Sequence, residues 1–305
     1  MLAFTIKRLL LAILVAVCVS ATAFVLLRMS GDVALAIAGE GAKEADIALV
    51  RKTYGLDRPI IVQYGDWLAR TFRGDLGESL YFKTSVASLI ADKLPVTFLI
   101  GSLSLLFALA LSVPLGVVGA VWAGSWIDRA ALAVAVAGQA LPNFFFALCL
   151  IMVFSITLRW LPVSGSDTWA HYVMPTIALG YYATPPIMRL VRAGMIEVLG
   201  SDYIRTARAK GLSPTSVVFK HGLRNALVPV VALAAVQLGF LLGGSIVIET
   251  IFALDGLGYL AYQSITHKDF PVTQATLLLL SLIYVLLTLL SDLLNAFLDP
   301  RMRVA

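Results

Sequence analysis

Six apolar runs, each near the length of a bilayer-crossing helix, recur along this 305-residue chain. A helix needs roughly 20 apolar residues to cross the hydrocarbon core. The runs cover Leu9–Leu27, Thr97–Val121, Ala130–Leu158, Val173–Leu190, Ala226–Ile248 and Val272–Leu294. A soluble core has no room for that much apolar helix, and the composition agrees. Hydrophobic residues make up 60% and charged residues 13%, against roughly 25% charged in a soluble domain. The chain is therefore expected to be an all-α integral membrane protein with six transmembrane helices, a single domain over residues 1–305 with the lipid bilayer as its solvent.

The first run has a rival reading. Lys7-Arg8, the apolar stretch and Ala21-Thr22-Ala23 imitate a secretory signal with its small-residue cleavage site. The apolar run continues through Phe24-Val25-Leu26-Leu27, past the length of a usual signal core, which favours a retained helix.

Basic residues in short loops set the orientation. The loop between the fourth and fifth runs, with its flanks, holds Arg189, Arg192, Arg205, Arg208, Lys210, Lys220 and Arg224; the short loops opposite hold only Arg159 and Lys268. This predicts a cytoplasmic loop over residues 191–225 and cytoplasmic termini, with Arg301 and Arg303 adding to the bias. The segment 28–93 then lies outside. Its turn-rich Tyr54-Gly55-Leu56-Asp57-Arg58-Pro59, the periodic stretch with Tyr64 and Trp67, and Gly74-Asp75-Leu76-Gly77 predict a small helical cap on the membrane surface. The net charge of +5 is accounted for by this placement, so nucleic acid is not an expected partner. Cys18 and Cys149 both fall in apolar runs and predict neither a disulfide nor a metal site.

Catalytic chemistry finds little purchase. The sequence has no phosphate-loop motif, and its histidines (His171, His221 and His267) are scattered over loops. The informative segment is Ser201–Asn225. Ser201 or Asp202 can cap a helix, Gly211 suits the left-handed turn that ends one, and Ser213-Pro214 can start a second. Small Ala207, Ala209 and Gly211 would let another protein approach the backbone. The rival reading is a basic loop held near anionic headgroups.

That loop resembles the coupling motif of ABC-importer permeases, in which Glu-Ala-Ala is followed after three residues by Gly and later by Ile-x-Leu-Pro. Gly211, Ala207 and Leu223 match; Arg205, Thr206, His221 and Arg224 depart from it. The departures resemble the variant of the di-/oligopeptide (glutathione) and nickel permease family. Gly31-Asp32, Leu56-Asp57-Arg58-Pro59, Glu249-Thr250-Ile251-Phe252, Gly256-Leu257-Gly258, Asp269-Phe270-Pro271-Val272 and Asp299-Pro300-Arg301 fit that family in order along the whole chain. The resemblance implies a non-catalytic permease subunit of a bacterial inner-membrane importer of small peptides, with nickel or a nickel chelate as the alternative cargo. It implies as partners a homologous second permease subunit, two ATP-binding cassette ATPase subunits and a periplasmic substrate-binding protein. ATP and Mg would sit on the ATPases, and this chain would bind no cofactor or metal. ATPase coupling would fall to Tyr203, Ile204, Arg205, Thr206, Ala207, Arg208, Ala209, Lys210, Gly211 and Leu212.

Polar groups inside spans are costly and tend to face a pore or another helix. Gln139, Asn143, Tyr181 and Gln237 are candidates for lining the pathway, with helix packing as the other reading. Glu249 and Asp269 are candidates for contact with the binding protein, with solvated loop carboxylates as the other reading. An ion-gradient-driven carrier and a membrane-embedded enzyme are the rival classes; neither inverted repeats nor an acidic, His or Cys cluster in the membrane is apparent.

Overall fold

The computed structural model describes residues 2–39 and 41–298. These are almost entirely helical, with an isolated bridge between Glu78 and Ser85. The motif Asp299-Pro300-Arg301 and the basic residues Arg301 and Arg303 lie outside the described residues. Four helices are long and apolar enough to cross a membrane: α1 (Leu2–Ser30), α5 (Val86–Val121), α11 (Val228–Ile251) and α13 (Phe270–Leu298).

The run expected over Ala130–Leu158 is not one helix. It divides into α6 (Trp126–Ala140) and α7 (Asn143–Leu150), the latter continued by a π-helical stretch, Ile151–Thr157, and the two halves meet at 98°. The cause is local. Leu141 is extended (φ −111°, ψ 141°) because it precedes Pro142, and a residue before proline is driven from helical geometry. As a bent pair, α6 and α7 provide at most a fifth span.

The run expected over Val173–Leu190 lies within α8 (Ala170–Leu199). At about 1.5 Å per residue α8 is long enough to cross, but it is too polar to count as a span on composition. It lies at the centre, enclosed by α5, α6, α7 and α11, with Ala183, Ile187, Met188, Val191 and Met195 all buried. A helix wrapped by other helices need not be apolar all round, which is why hydropathy and structure part company here. Among the described residues there are thus four candidate spans, or five with the bent pair.

Between α1 and α5 the expected helical cap is present as α2 (Val33–Ala38), α3 (Glu44–Thr53) and α4 (Ile60–Phe72). Asp32 caps α2 by accepting from the Ala34 N–H at 2.9 Å and pairs with Arg51 of α3 at 2.6 Å. Tyr64 and Trp67 of α4 pack on the Phe24 ring of α1, with centroids 5.5 and 5.9 Å away. The remaining elements are α9 (Asp202–Ala209), a π-helical stretch Ser216–Leu223 that runs into α10 (Arg224–Ala226), and α12 (Leu257–Thr266). Helices α2–α4 and α12 lie at one end of the bundle and α9 at the other.

Candidate functional site

At its far end α8 stops at Gly200, and α9 follows almost at once. Ser201 occupies the capping position, but its hydroxyl turns back to donate to the Val198 carbonyl at 2.6 Å. Asp202 sits in the first turn, where an acidic side chain complements the helix dipole. Only Ile204 and Ala207 of α9 are buried; they pack on Val217, with Val198 and Leu199 alongside. Tyr203, Arg205, Thr206, Arg208, Ala209 and Lys210 are exposed. The small size of Ala207 therefore serves the seating of α9 on the bundle, not the approach of a partner, and Ala209 is the small residue left on the open face.

The tether is equally local. The Tyr203 hydroxyl accepts from the Asn225 side chain at 2.9 Å. Arg205 and Asp202 lie 3.4 Å apart, both almost fully exposed, so that pair contributes little. Gly211 takes φ +76°, with open space where a Cβ would stand. This left-handed turn delivers the Leu212 N–H to the Ala207 carbonyl at 3.3 Å, and Leu212 itself is exposed. Ser213 then accepts from the Ser216 N–H at 3.3 Å, and the chain re-enters helix at Pro214.

Glu249 and Asp269 are not on the surface; neither exposes any of its area. Glu249 Oε1 accepts from Thr97 at 2.9 Å and Ser245 at 2.8 Å, and Oε2 accepts from the Gly258 and Tyr259 N–H groups at 2.7 and 3.1 Å. The carboxylate thus caps α12 from the last turn of α11 while Thr97 holds it to α5. Gly256 is needed there because a Cβ would meet Glu249 Oε2 and lie 2.7 Å from Thr97 Oγ1. Asp269, just before α13, accepts from the Ser79 hydroxyl at 2.5 Å and the Leu80 and Tyr81 N–H groups at 3.2 and 3.1 Å. Both carboxylates are internal fasteners, so the expected binding-protein contact through them is corrected. Each spends its acceptor capacity on backbone and hydroxyl donors, the arrangement a buried charge requires.

The pathway candidates fall around the middle of α8. Pro186 has no N–H to give the Tyr182 carbonyl, and Gln139 supplies one instead at 3.3 Å. The Tyr181 hydroxyl donates to the Val134 carbonyl at 2.5 Å, and its ring lies 5.5 Å from Phe146. Half-buried Asn143 opens α7. Gln237 is also half-buried, on α11, one turn from Phe240, whose ring stacks on Tyr182 at 5.7 Å. Gln139, Asn143 and Tyr181 thus gather at the α6–α7 break, and Gln237 stands on another helix.

One cluster was not anticipated. Asp128 in the first turn of α6 accepts from Nε and Nη2 of Arg192, each at 2.6 Å, and from the Gly124 N–H at 2.9 Å. The fork geometry gives specificity as well as energy. Its sequence signal was Ser125-x-x-Asp128 ahead of an apolar run, a capping pattern; the Ser125 hydroxyl does accept from the Asp128 N–H, at 3.4 Å.

Comparison with known proteins bears on this arrangement. Residues 112–304 match the family described as binding-protein-dependent transport system inner membrane component, and residues 1–101 match the N-terminal component of the same systems. The glutathione transport system permease protein GsiC of Escherichia coli O6:H1 is 43% identical over 304 residues, covering 99% of both chains. The protein of that name from Pectobacterium atrosepticum is 42% identical over the same extent. Among solved structures, an inward-facing MetNI methionine ABC transporter chain aligns with a TM-score of 0.56 at 23% identity, covering 69% of this chain and 96% of that one. That likeness concerns the fold.

Proposed function

We propose, from the premise that this chain belongs to the binding-protein-dependent transport system inner membrane component family, that it forms half of the translocation pathway for glutathione or a similarly small peptide. The observation carrying this reading is similarity to glutathione permeases over 99% of both chains. The chain is a non-catalytic, multi-pass permease subunit of an ABC importer; ATPase and binding-protein subunits supply energy and cargo.

The finer assembly reads as follows. Six crossings result if α8 and the bent α6–α7 pair each cross once. The basic loop puts α9 and both termini in the cytoplasm and α2–α4 in the periplasm. The second permease subunit is a homologue of this one, and two ATPases dock beneath the pair. Helix α9 couples to one ATPase through Tyr203, Arg205, Thr206, Arg208, Ala209, Lys210 and Leu212. Ile204 and Ala207 transmit its displacement to α8 and the Ser216–Leu223 stretch, and Gly211 shapes the turn. Gln139, Asn143, Tyr181 and Gln237 lie where α8 meets α6, α7 and α11, and line the pathway when those helices part. Nothing in this scheme needs a cofactor or metal on this chain.

The test is uptake of labelled glutathione by a strain lacking this gene, with and without the gene restored. Loss of uptake of glutathione and of other small peptides is expected on deletion, with recovery on complementation. Unchanged peptide uptake with loss of nickel-dependent urease activity would assign the nickel branch. Reporter fusions after Arg73 and Gly165 are expected to read periplasmic, and one after Lys210 cytoplasmic; a cytoplasmic signal at Arg73 would overturn the six-span map.

A further inference from the structure

A cavity of about 880 Å³ opens between α4, the loop after it and the start of α13. Arg28, Arg70, Arg73 and Lys83 line it, and none of these cations has a carboxylate partner among the described residues. Arg28 instead lies over the Phe24 ring, 4.8 Å from its centroid. Three carboxylates also line the cavity. Asp66 is paired with Arg58; Asp75, which accepts the Gly77 N–H, and Glu78 are in no ion pair among the described residues. The cavity wall includes Gln274 of α13, 7% exposed, whose buried Nε2 has no hydrogen-bond acceptor. A buried amide donor without an acceptor is costly, and here it borders a space whose five lining cations outnumber its three carboxylates.

We infer that this cavity binds the phosphate of an anionic phospholipid headgroup from the leaflet on the α4 side. The level is right, because Arg28 stands in the last turn of one span and Gln274 in the first turns of another. The neighbouring helices favour lipid as the source. Helices α1 and α13 bury only 11% of their most apolar windows, against 33% for α5 and α11. Leu26 and Met29, 60% and 77% exposed on the closing turns of α1, offer acyl chains a surface beside the cavity. The phosphate oxygens would accept from Gln274 and the guanidinium groups, satisfying the orphaned donor and offsetting the excess of cations. The bound lipid would then brace α2–α4 against α1 and α13.

The intact transporter, stripped of lipid in detergent, is titrated with phosphatidylglycerol or phosphatidylcholine, and retained lipid is counted by native mass spectrometry. Phosphatidylglycerol is expected to be retained in clear excess. Arg70→Gln, Arg73→Gln and Lys83→Gln should each weaken retention about fivefold, as expected for one cation near an anionic lipid surface. The corresponding lysine variants at 70 and 73 should keep most of it. Gln274→Leu keeps the volume and removes the donor, so it should lower retention with the lining charges intact. Co-purification of the ATPases serves as the folding control. Equal retention of the two lipids, or full retention by the Gln variants, overturns the inference. Displacement of the lipid by glycerol phosphate at matching concentration overturns the lipid source and assigns a soluble phosphate-bearing ligand.

Discussion

Two sets of charges, one around α12 and one on α9, are handled in opposite ways. Around α12, Glu249 and Asp269 are fully buried; Glu249 collects donors from α5, α11 and α12, and Asp269 from the distant 79–81 loop. At the α9 end the charges of Arg205, Arg208 and Lys210 stand in the open, and the helix that carries them is seated by Ile204 and Ala207. A carboxylate wired into three elements resists displacement, because moving any one of them strands a donor in an apolar interior. A short helix seated by two side chains can be displaced at little cost. The contrast separates a part that holds shape from a part that receives force.

The largest effect is expected at Glu249. Glu249→Leu strands the Thr97 hydroxyl and the Gly258 and Tyr259 N–H groups, while Ser245 keeps the Leu242 carbonyl, costing about 3 kcal/mol or more. Membrane abundance and unfolding temperature in detergent should both fall sharply. A Glu249→Leu variant of normal abundance and stability would break the contrast at its strong end.

Next comes a pair of substitutions two residues apart on α9. Ala209→Trp places bulk on the exposed face and should abolish uptake at normal abundance. Ala207→Trp overfills the seat and should destabilise by about 1–3 kcal/mol, unseating α9 even in detergent without the ATPases. Protease sensitivity of α9 separates the two cases. Indistinguishable behaviour would mean that the open face is not where force enters.

Asp269→Asn should cost less, about 1–2 kcal/mol, because the amide oxygen can still accept from Ser79 and Tyr81 while its NH2 leaves only the Leu80 N–H without an acceptor. Proteolysis of the 79–85 loop should rise while the spans stay intact. The smallest effect belongs to Arg205→Gln, whose ion pair is solvent-screened. Unfolding temperature should not move, and any change should be confined to the salt dependence of ATPase stimulation.

The helical membrane character of this chain was legible because apolar runs of span length admit few other folds. Gly211 and Pro214 also declared themselves, since left-handed geometry and a missing N–H each suit one kind of helix boundary. The α6–α7 break is half legible: Pro142 stands inside the apolar run, but the bend of 98° depends on Leu141 going extended. Glu249 and Asp269 were misread for a definite reason. A loop carboxylate is normally solvated, and burial here depends on Thr97 and Ser79, which lie 152 and 190 residues away in sequence. No local pattern encodes such partners. The exposed and buried faces of α9 could have been separated from the sequence by the three-residue spacing of Ile204 and Ala207.

The central position of α8 has a consequence for biogenesis. A segment carrying Arg189 and Arg192 and three internal prolines partitions poorly from the translocon into lipid by itself. Its favourable surroundings are protein: Ser112 of α5 donates to the Thr184 carbonyl at 2.9 Å, and Asp128 of α6 receives Arg192. Both partners precede α8 in the order of synthesis. The ribosome therefore delivers the chaperoning surface before the helix that depends on it. A chain with α5 and α6 deleted should leave α8 stalled outside the hydrocarbon, with its length alone unable to carry it in.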